Sequence, residues 1–341
     1  MRVFKTMCLF SLSWALSPYM HSRPKKVQLE TAITYASNLV GYSNIFNKVA
    51  VLVETEVTEL NEISIEYFRN PGKQIRMVII LLLGKILVVE REKTESLALA
   101  TEMIHVASIL HDDVLDDAQT RRGRLALYRK YNEKLAILGG DYMLAKASVK
   151  LASLNNTLVQ LCMSNALASM VEGELIPSHI DMSISDYSHK TYCKTAALFM
   201  QSCDSIQHLS QTNSSNTMQA KTASFGYHFG MCFQILDDVD DFLNGDDITQ
   251  GTVTAPVIYS SEANPSISKM FLKKKWRRPI RRIIREVSKH NGVLKTELLA
   301  RSHINDALDC LETFEDSIYK EALIDVTKAL FVSEESFYES G

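Results

Sequence analysis

The first 29 residues contain neither aspartate nor glutamate. They carry Arg2, Lys5, Arg23, Lys25 and Lys26 around an apolar, serine-containing stretch. This composition predicts a mitochondrial transit peptide over 1–29, with a secretory signal or a plastid peptide as rivals, because "MCLFSLSWAL" could serve as a short apolar core. Cysteine is sparse: the six residues at 8, 162, 193, 203, 232 and 310 form no CxxC pair, so neither a zinc-type spacing nor a disulfide framework is indicated. "VIILLLGKILVV" (78–89) is too short to span a bilayer and contains Lys85, which predicts a buried helix instead. The net charge of −3 removes any global pull toward nucleic acid.

Proline is missing from Gly72 to Leu175, and glycine is rare there. No strand alternation with Asn-Gly turns, no βαβ rhythm, no repeat and no low-complexity tract interrupts the chain. What is there is apolar recurrence at three- and four-residue steps: Ile104, Ala107, Ile109 and Leu110, then Leu144, Ala147 and Leu151. The expected fold is all-α, one large helical domain over 30–341. "NPG" (70–72), "RRG" (121–123), "GG" (139–140), Pro177, Pro256, Pro265 and Pro279 read as punctuation between helices. One segment stands apart: "KMFLKKKWRRPIRRIIREVSK" (269–289) has ten basic residues and one acid. It reads as a solvated helix face, with an anionic membrane surface as the functional alternative and nucleic acid as the weakest.

"HDDVLDDAQTRRG" (111–123) places Asp112, Asp113, Asp116 and Asp117 side by side. "FQILDDVDDF" (233–242) repeats the D-D-x-x-D spacing with Asp237, Asp238 and Asp241. On a helix, residues four apart lie one above the other, so Asp112 stacks with Asp116 and Asp237 with Asp241. Such a stack destabilises a helix by roughly a few tenths of a kcal/mol unless a cation sits on it. One DDxxD is a weak signal. Two copies, each preceded by an apolar run ("IHVASIL" and "FGMCFQIL"), point to core-facing helices lining one cavity. A hard divalent ion such as Mg²⁺ takes oxygen ligands and is commonly shared between carboxylates and substrate phosphates. Arg121 and Arg122 add forks that match phosphate oxygens. Lys73 and Arg76 in "PGKQIR" and Lys194 in "CKTAAL" add further cations, enough for two anionic groups held side by side.

At this point the chain resembles the trans-isoprenyl diphosphate synthases, and within them the long-chain polyprenyl diphosphate synthases that make quinone side chains. The resemblance rests on "GKQIR" (72–76), "EMIHVASILHDDVLDDAQTRRG" (102–123), "LGGDYMLAKAS" (138–148), "KTAALF" (194–199), "FQILDDVDDF" (233–242) and "GTVTAPV" (251–257), in family order over roughly 45–335. It implies repeated head-to-tail condensation of isopentenyl diphosphate onto an allylic diphosphate, with about three Mg²⁺ ions per site. By motif match, Asp112, Asp116 and Asp237 would be the main metal ligands, with Asp113, Asp238 and Asp241 in support. Arg121, Lys194, Thr195 and Gln234 would hold the allylic diphosphate. Lys73, Arg76, His105 and Arg122 would hold isopentenyl diphosphate. Members are generally dimers or larger, either homomeric or with a second synthase subunit.

Chain length is read from the residues just upstream of Asp112. Ser108 and Ala107 are small, and Ile104 lies a further turn back. From Thr101 to Asp112, about 16 Å of helix, the imidazoles of His105 and His111 are the only aromatic rings, and no Phe, Tyr or Trp occurs. This predicts an open tunnel and a long product. Three departures from the family pattern stand out. Met77 replaces a usual proline. Tyr131-Asn132-Glu133 replaces a Gly-Asn turn. After Asp241 no Lys or Arg occurs before Lys269, so a loop lysine of the diphosphate cage is missing. Asp246 and Asp247 in that stretch read as a solvated turn. The missing cation raises the alternative of a non-catalytic partner subunit. A class I terpene cyclase is disfavoured by the second DDxxD.

Overall fold

The structure is a computed structural model that describes residues 29–41, 45–69, 72–121, 123–211, 216–272 and 279–331. The expected targeting peptide (apart from Leu29), Arg122 and the "KKKWRR" centre of the basic segment lie outside the described residues. The described residues are helical nearly throughout. They begin with α1 (Leu29–Leu39), α2 (Ile45–Leu52), α3 (Thr58–Arg69), α4 (Ile75–Ile86) and α5 (Arg91–Leu115). A minimal hairpin follows, β1 (Thr120–Arg121) and β2 (Arg124–Leu125), then α6 (Leu127–Lys130), α7 (Glu133–Ala152), α8 (Thr157–Leu175) and α9 (Ile184–Thr191). A π-helical turn (Tyr192–Ala196) joins α9 to α10 (Ala197–His208). The rest is α11 (Asn216–Asn244), α12 (Asp246–Gln250), α13 (Ala255–Ala263), α14 (Ser266–Phe271), α15 (Ile280–Lys289), α16 (Gly292–Leu311) and α17 (Ile318–Ala329).

Two long helices organise the molecule. In α5 every residue from Ser96 to Ile104 is buried, as is every residue from Ile75 to Gly84 in α4. A helix covered all round must lie at the centre, and α4 meets the expectation of a buried helix. No helix among the described residues is long and apolar enough to cross a membrane. α5 packs on α4 and α7, α11 packs on α10 and α16, and α10 touches both α5 and α4. α10 is therefore the wall that joins the two aspartate-bearing helices. Large side chains with almost no exposure, Phe199, Phe225 and Phe229, pack ring against ring there. Burial of each contributes roughly 1.5–3 kcal/mol.

The expected break at 121–123 does lie between α5 and α6, in the hairpin that sets Thr120 opposite Leu125 and Arg121 opposite Arg124. One of the expected breaks differs. "GG" lies inside α7 and does not separate helices. The reason is space: a Cβ on Gly140 would stand 2.3 Å from the His111 ring, so glycine lets α5 and α7 approach there. The prolines behave as expected. Pro177 follows α8, Pro256 lies in the first turn of α13, and Pro265 and Pro279 precede α14 and α15. Asn132, in the unusual turn, caps α7 by accepting from the Leu135 N–H at 2.8 Å. In α15, Ile283 and Val287 are buried while Arg281, Arg282, Arg285 and Lys289 are exposed. The apolar face of this helix is thus engaged by the protein's own core, and only the basic face is open.

Candidate active site

α5 delivers the first carboxylates at its last turn. Asp112 and Asp113 are helical and Asp116 is the C-cap, its N–H donating to the Asp112 carbonyl at 2.8 Å. The expected one-turn stack is kept. The carbonyl end of a helix is the negative end of its dipole, so carboxylates there create a demand for cations. Burial first, then the charges of Glu174 and Asp116, push the Asp112 carboxyl up to about 6. Asp113 is 5% exposed and faces Arg121 Nε at 3.6 Å. Asp117 plays a different part. It adopts a φ of +52°, and its carboxylate accepts the Tyr128 hydroxyl at 2.8 Å and an ion pair from Arg129. It ends the helix and ties it to α6.

The second cluster sits within α11. Tyr187 O–H donates to Asp238 Oδ2 at 2.5 Å, Gln234 Nε2 donates to Asp238 Oδ1 at 2.8 Å, and Thr195 Oγ1 donates to Gln234 Oε1 at 2.8 Å. One hydrogen-bonded chain therefore links α9, the π turn and α11. Burial pushes Asp238 up to about 7 despite the bonds from Tyr187 and Gln234. Burial and then Asp237 push Asp241 up to about 6. Asp237 is also raised by burial, against the opposing charges of Lys73 and Arg121, although its side chain is open to solvent. That combination describes a carboxylate on the wall of a cleft.

The same cations face both clusters. Arg121 lies within electrostatic range of Asp112 and Asp113 on one side and of Asp237 and Asp241 on the other. Lys194 faces Asp112 and Asp116 and forms a 2.6 Å ion pair with Glu174 of α8. Burial is the largest influence on the Lys194 ammonium and works against it, but the Glu174 bond together with the negative charges of Glu174, Asp112 and Asp116 holds its pKa above the ordinary value. The two aspartate ladders, far apart in sequence, thus lie within range of one guanidinium. The π turn helps to make this possible. It presents Lys194 and Thr195 in a widened helical loop, a feature frequent at functional sites. Gly173 lets α8 reach it: a Cβ there would stand 2.7 Å from the Lys194 backbone nitrogen.

A second anion-shaped corner lies at the start of α4. Arg76 is buried, its guanidinium stacked 4.4 Å from the centre of the Phe199 ring, and its Nη1 is 3.1 Å from His105 Nε2. Arginine is donor only, so His105 Nε2 accepts and the ring proton is on Nδ1. Burial lowers the Arg76 pKa to about 10, which leaves it charged at neutral pH. Arg76 Nε and Gln74 Nε2 are buried with no hydrogen-bond partner among the described residues. Buried donors without acceptors suit a site that receives an anion. Lys73 is exposed beside them and acts electrostatically on Asp237. Of the three chain-length candidates, Ala107 and Ile104 are fully packed, and Ser108 is half-buried with its hydroxyl on the His105 carbonyl at 2.9 Å.

Sequence reasoning passed over several residues. Asp247 is no solvated turn: it is buried, accepts the Thr254 hydroxyl at 2.8 Å, and is pushed up to about 7 by burial and by Asp238, Asp241 and Asp237. Asp246 is exposed, as expected. Glu174, Tyr187 and Lys190 reach the site from α8 and α9. A capping box of Ser183 and Asp186 begins α9, and nothing in the spacing tells which of that helix's side chains face inward.

The family profile described as polyprenyl synthetase matches residues 57–287. The chain belongs to the polyprenyl synthetase family. A decaprenyl-diphosphate synthase of Dictyostelium discoideum is 39% identical over 279 residues, covering 78% of this chain and 60% of that protein. The chain therefore spans about three-fifths of that relative's length. Solanesyl-diphosphate synthase 1, mitochondrial, of Oryza sativa subsp. japonica is 33% identical, covering 83% of this chain and 74% of the relative. Among solved structures, a polyprenyl synthase from Caulobacter crescentus CB15 complexed with calcium and isoprenyl diphosphate superposes with a TM-score of 0.82 at 22% identity, over 90% of this chain and 99% of that one. That likeness establishes the all-α polyprenyl synthetase fold.

Proposed function

We propose that the protein is a long-chain trans-polyprenyl diphosphate synthase of quinone side-chain synthesis. It would condense isopentenyl diphosphate repeatedly onto an allylic diphosphate. The observation that carries this reading is the pair of aspartate ladders, from α5 and α11, facing Arg121 together. The donor set is all oxygen and the surroundings are acidic, which suits Mg²⁺. Asp112, Asp116 and Asp237 would hold it, with Asp113, Asp238 and Asp241 in support and about three ions per site. Bound Mg²⁺ would act as a Lewis acid on the leaving diphosphate.

The chain's own residues do the rest. Arg121, Lys194, Thr195 and Gln234 would bind the allylic diphosphate, Lys194 being held in position by Glu174 and Thr195 by Gln234. Lys73, Arg76, His105 and Arg122 would bind isopentenyl diphosphate, with Arg76 fixed by its stack on Phe199. The apolar wall of α5 and α10 would keep water from the allylic cation while the isopentenyl double bond attacks and the isopentenyl unit then loses a proton to the departed diphosphate. The growing chain would pass Ser108 first. The domain would occupy 30–341, after a mitochondrial targeting peptide over 1–29, and would work as a homodimer or with a second synthase subunit. The basic face of α15 would make peripheral contact with an anionic membrane. Two intact aspartate clusters favour an active enzyme over a partner without turnover.

The test is the protein expressed alone with Mg²⁺, an allylic primer and labelled isopentenyl diphosphate. Prenyl chains well beyond the geranylgeranyl length are expected, and Ala107→Tyr should shorten them. Accumulation of farnesyl or geranylgeranyl diphosphate would contradict the long-chain assignment, and activity seen only after adding a second subunit would support the partner reading.

A further inference from the structure

The stretch after Asp241 has no Lys or Arg before Lys269, and in its place Asp247 adds negative charge to the cleft. An anion bound there would meet fewer cations than acids unless another side chain supplies one. Lys190 is one helical turn before Lys194, on the same run of α9 and the π turn. Residues four apart share a face, so both ammonium groups can reach the same side. The two are not equivalent. Lys194 is bound to a carboxylate, Glu174, at 2.6 Å. Lys190 is half-buried, and its one hydrogen bond is to a neutral hydroxyl, Ser178 Oγ, at 2.8 Å. Among the described residues it has no carboxylate at ion-pair distance. It nevertheless lies within electrostatic range of Asp116 from the first cluster and Asp238 from the second, with Lys194 and Glu174 beside it. A half-buried cation held by a hydroxyl, with no carboxylate in direct contact and two carboxylate clusters within range, is arranged to receive an anion.

We infer that Lys190 is a diphosphate-binding residue, which supplies from α9 the positive charge that the loop after Asp241 lacks. Ser178 holds the ammonium in place while the cleft is empty. The diphosphate bound is the allylic one, because Lys194 and Thr195 face it from the same run, whereas Arg76 and His105 form a separate corner. The inference rests on the proposed synthase reading. Burial and the neighbouring Lys194 lower the Lys190 pKa, and a bound phosphate oxygen would relieve both penalties.

Two measurements on the full chain separate this inference from that reading. The first is Mg²⁺-dependent binding of inorganic pyrophosphate by calorimetry. The second is steady-state kinetics with each substrate varied. Lys190→Gln should weaken pyrophosphate binding and raise KM for the allylic primer by about 10- to 100-fold, as expected for a lost charge-assisted hydrogen bond. KM for isopentenyl diphosphate should stay within about twofold, well under the tenfold that 1.4 kcal/mol represents. Lys190→Arg should retain most of the binding, and Ser178→Ala should change it little. If Lys190→Gln does not fold, Lys190→Met serves as the second charge-removing variant. Pyrophosphate binding equal to that of the unmodified protein, or a rise confined to the isopentenyl KM, would overturn the inference. Failure of the unmodified protein to bind pyrophosphate with Mg²⁺ would instead overturn the synthase reading.

Discussion

Asp112 and Asp116 stand at the end of α5, where the chain leaves the helix for a hairpin. Asp237 and Asp241 stand inside α11, and between them Asp238 is bound by Tyr187 and Gln234. The spacing is the same and the setting is opposite. At the first cluster, charge is met by cations: Arg121 faces Asp113 at 3.6 Å and Lys194 lies within range of Asp112. At the second, the cluster's middle carboxylate is met by neutral hydrogen bonds that fix its orientation without cancelling its charge. The middle carboxylate of the first cluster is therefore held by a charge, and that of the second by neutral donors. A motif repeated in sequence need not be repeated in mechanics.

The largest effect should come from removing one ligand on either side. Asp112→Asn and Asp237→Asn are each expected to lower kcat/KM at least about 100-fold, a loss typical of removing a transition-state charge partner. Steady-state turnover of labelled isopentenyl diphosphate checks this. A large loss at only one of them would break the idea that both helices serve one site.

The next effect separates the clusters. Tyr187→Phe removes a donor from Asp238 and has no counterpart at the first cluster. A bond to a charged group is worth roughly 1.5–3 kcal/mol, so kcat/KM should fall by about tenfold or more. Asp113 offers the matching test: if Asp113→Asn and Tyr187→Phe behaved alike in kinetics and in Mg²⁺ titration, the contrast between a charge-held and a hydrogen-bond-held cluster would fail.

A smaller effect concerns pH. Asp112 and Asp241 are pushed up to about 6, and Asp238 and Asp247 to about 7, each mainly by burial. The folded state thus keeps protons that the unfolded chain releases near pH 4. Stability from these groups is complete below that pH and is lost as pH rises toward 7. The metal-free protein should show a lower Tm at pH 8 than at pH 5, and Mg²⁺ with pyrophosphate should recover it at pH 8. Differential scanning calorimetry in EDTA reads both arms. The smallest effect belongs to the edge of the first cluster. Arg129→Ala breaks the exposed pair with Asp117 and should cost no more than about 1 kcal/mol by denaturant melts, with kcat nearly unchanged.

Much of the site could be read from the chain because it depends on local periodicity. The helical spacing of the aspartates, their apolar approaches and the cations at Arg121 and Lys194 are all short-range features, and α5 and α11 form as that spacing requires. What could not be read arrives through packing. Glu174 reaches Lys194 because Gly173 lets α8 close on the π turn, and Lys190 and Tyr187 face inward because of how α9 is seated. Asp247 looked like a solvent-facing turn because acidic residues beside glycine usually are. Its burial depends on Thr254, a contact made only once the chain folds back. "GG" at 139–140 misled for a related reason: glycine marks loops by sequence, yet here it marks a contact between two helices.

The widened loop at Tyr192–Ala196 holds a residue more than a regular helical turn would use. Excising one residue there would give a more uniform rod, and each position on one side of the cut would swing by about 100° relative to the other. Lys194 and Thr195 would then no longer aim where Glu174 and Gln234 await them. In this protein an irregularity one amino acid long acts as the gearing between two otherwise ordinary spirals, and a deletion that looked like tidying would disengage it.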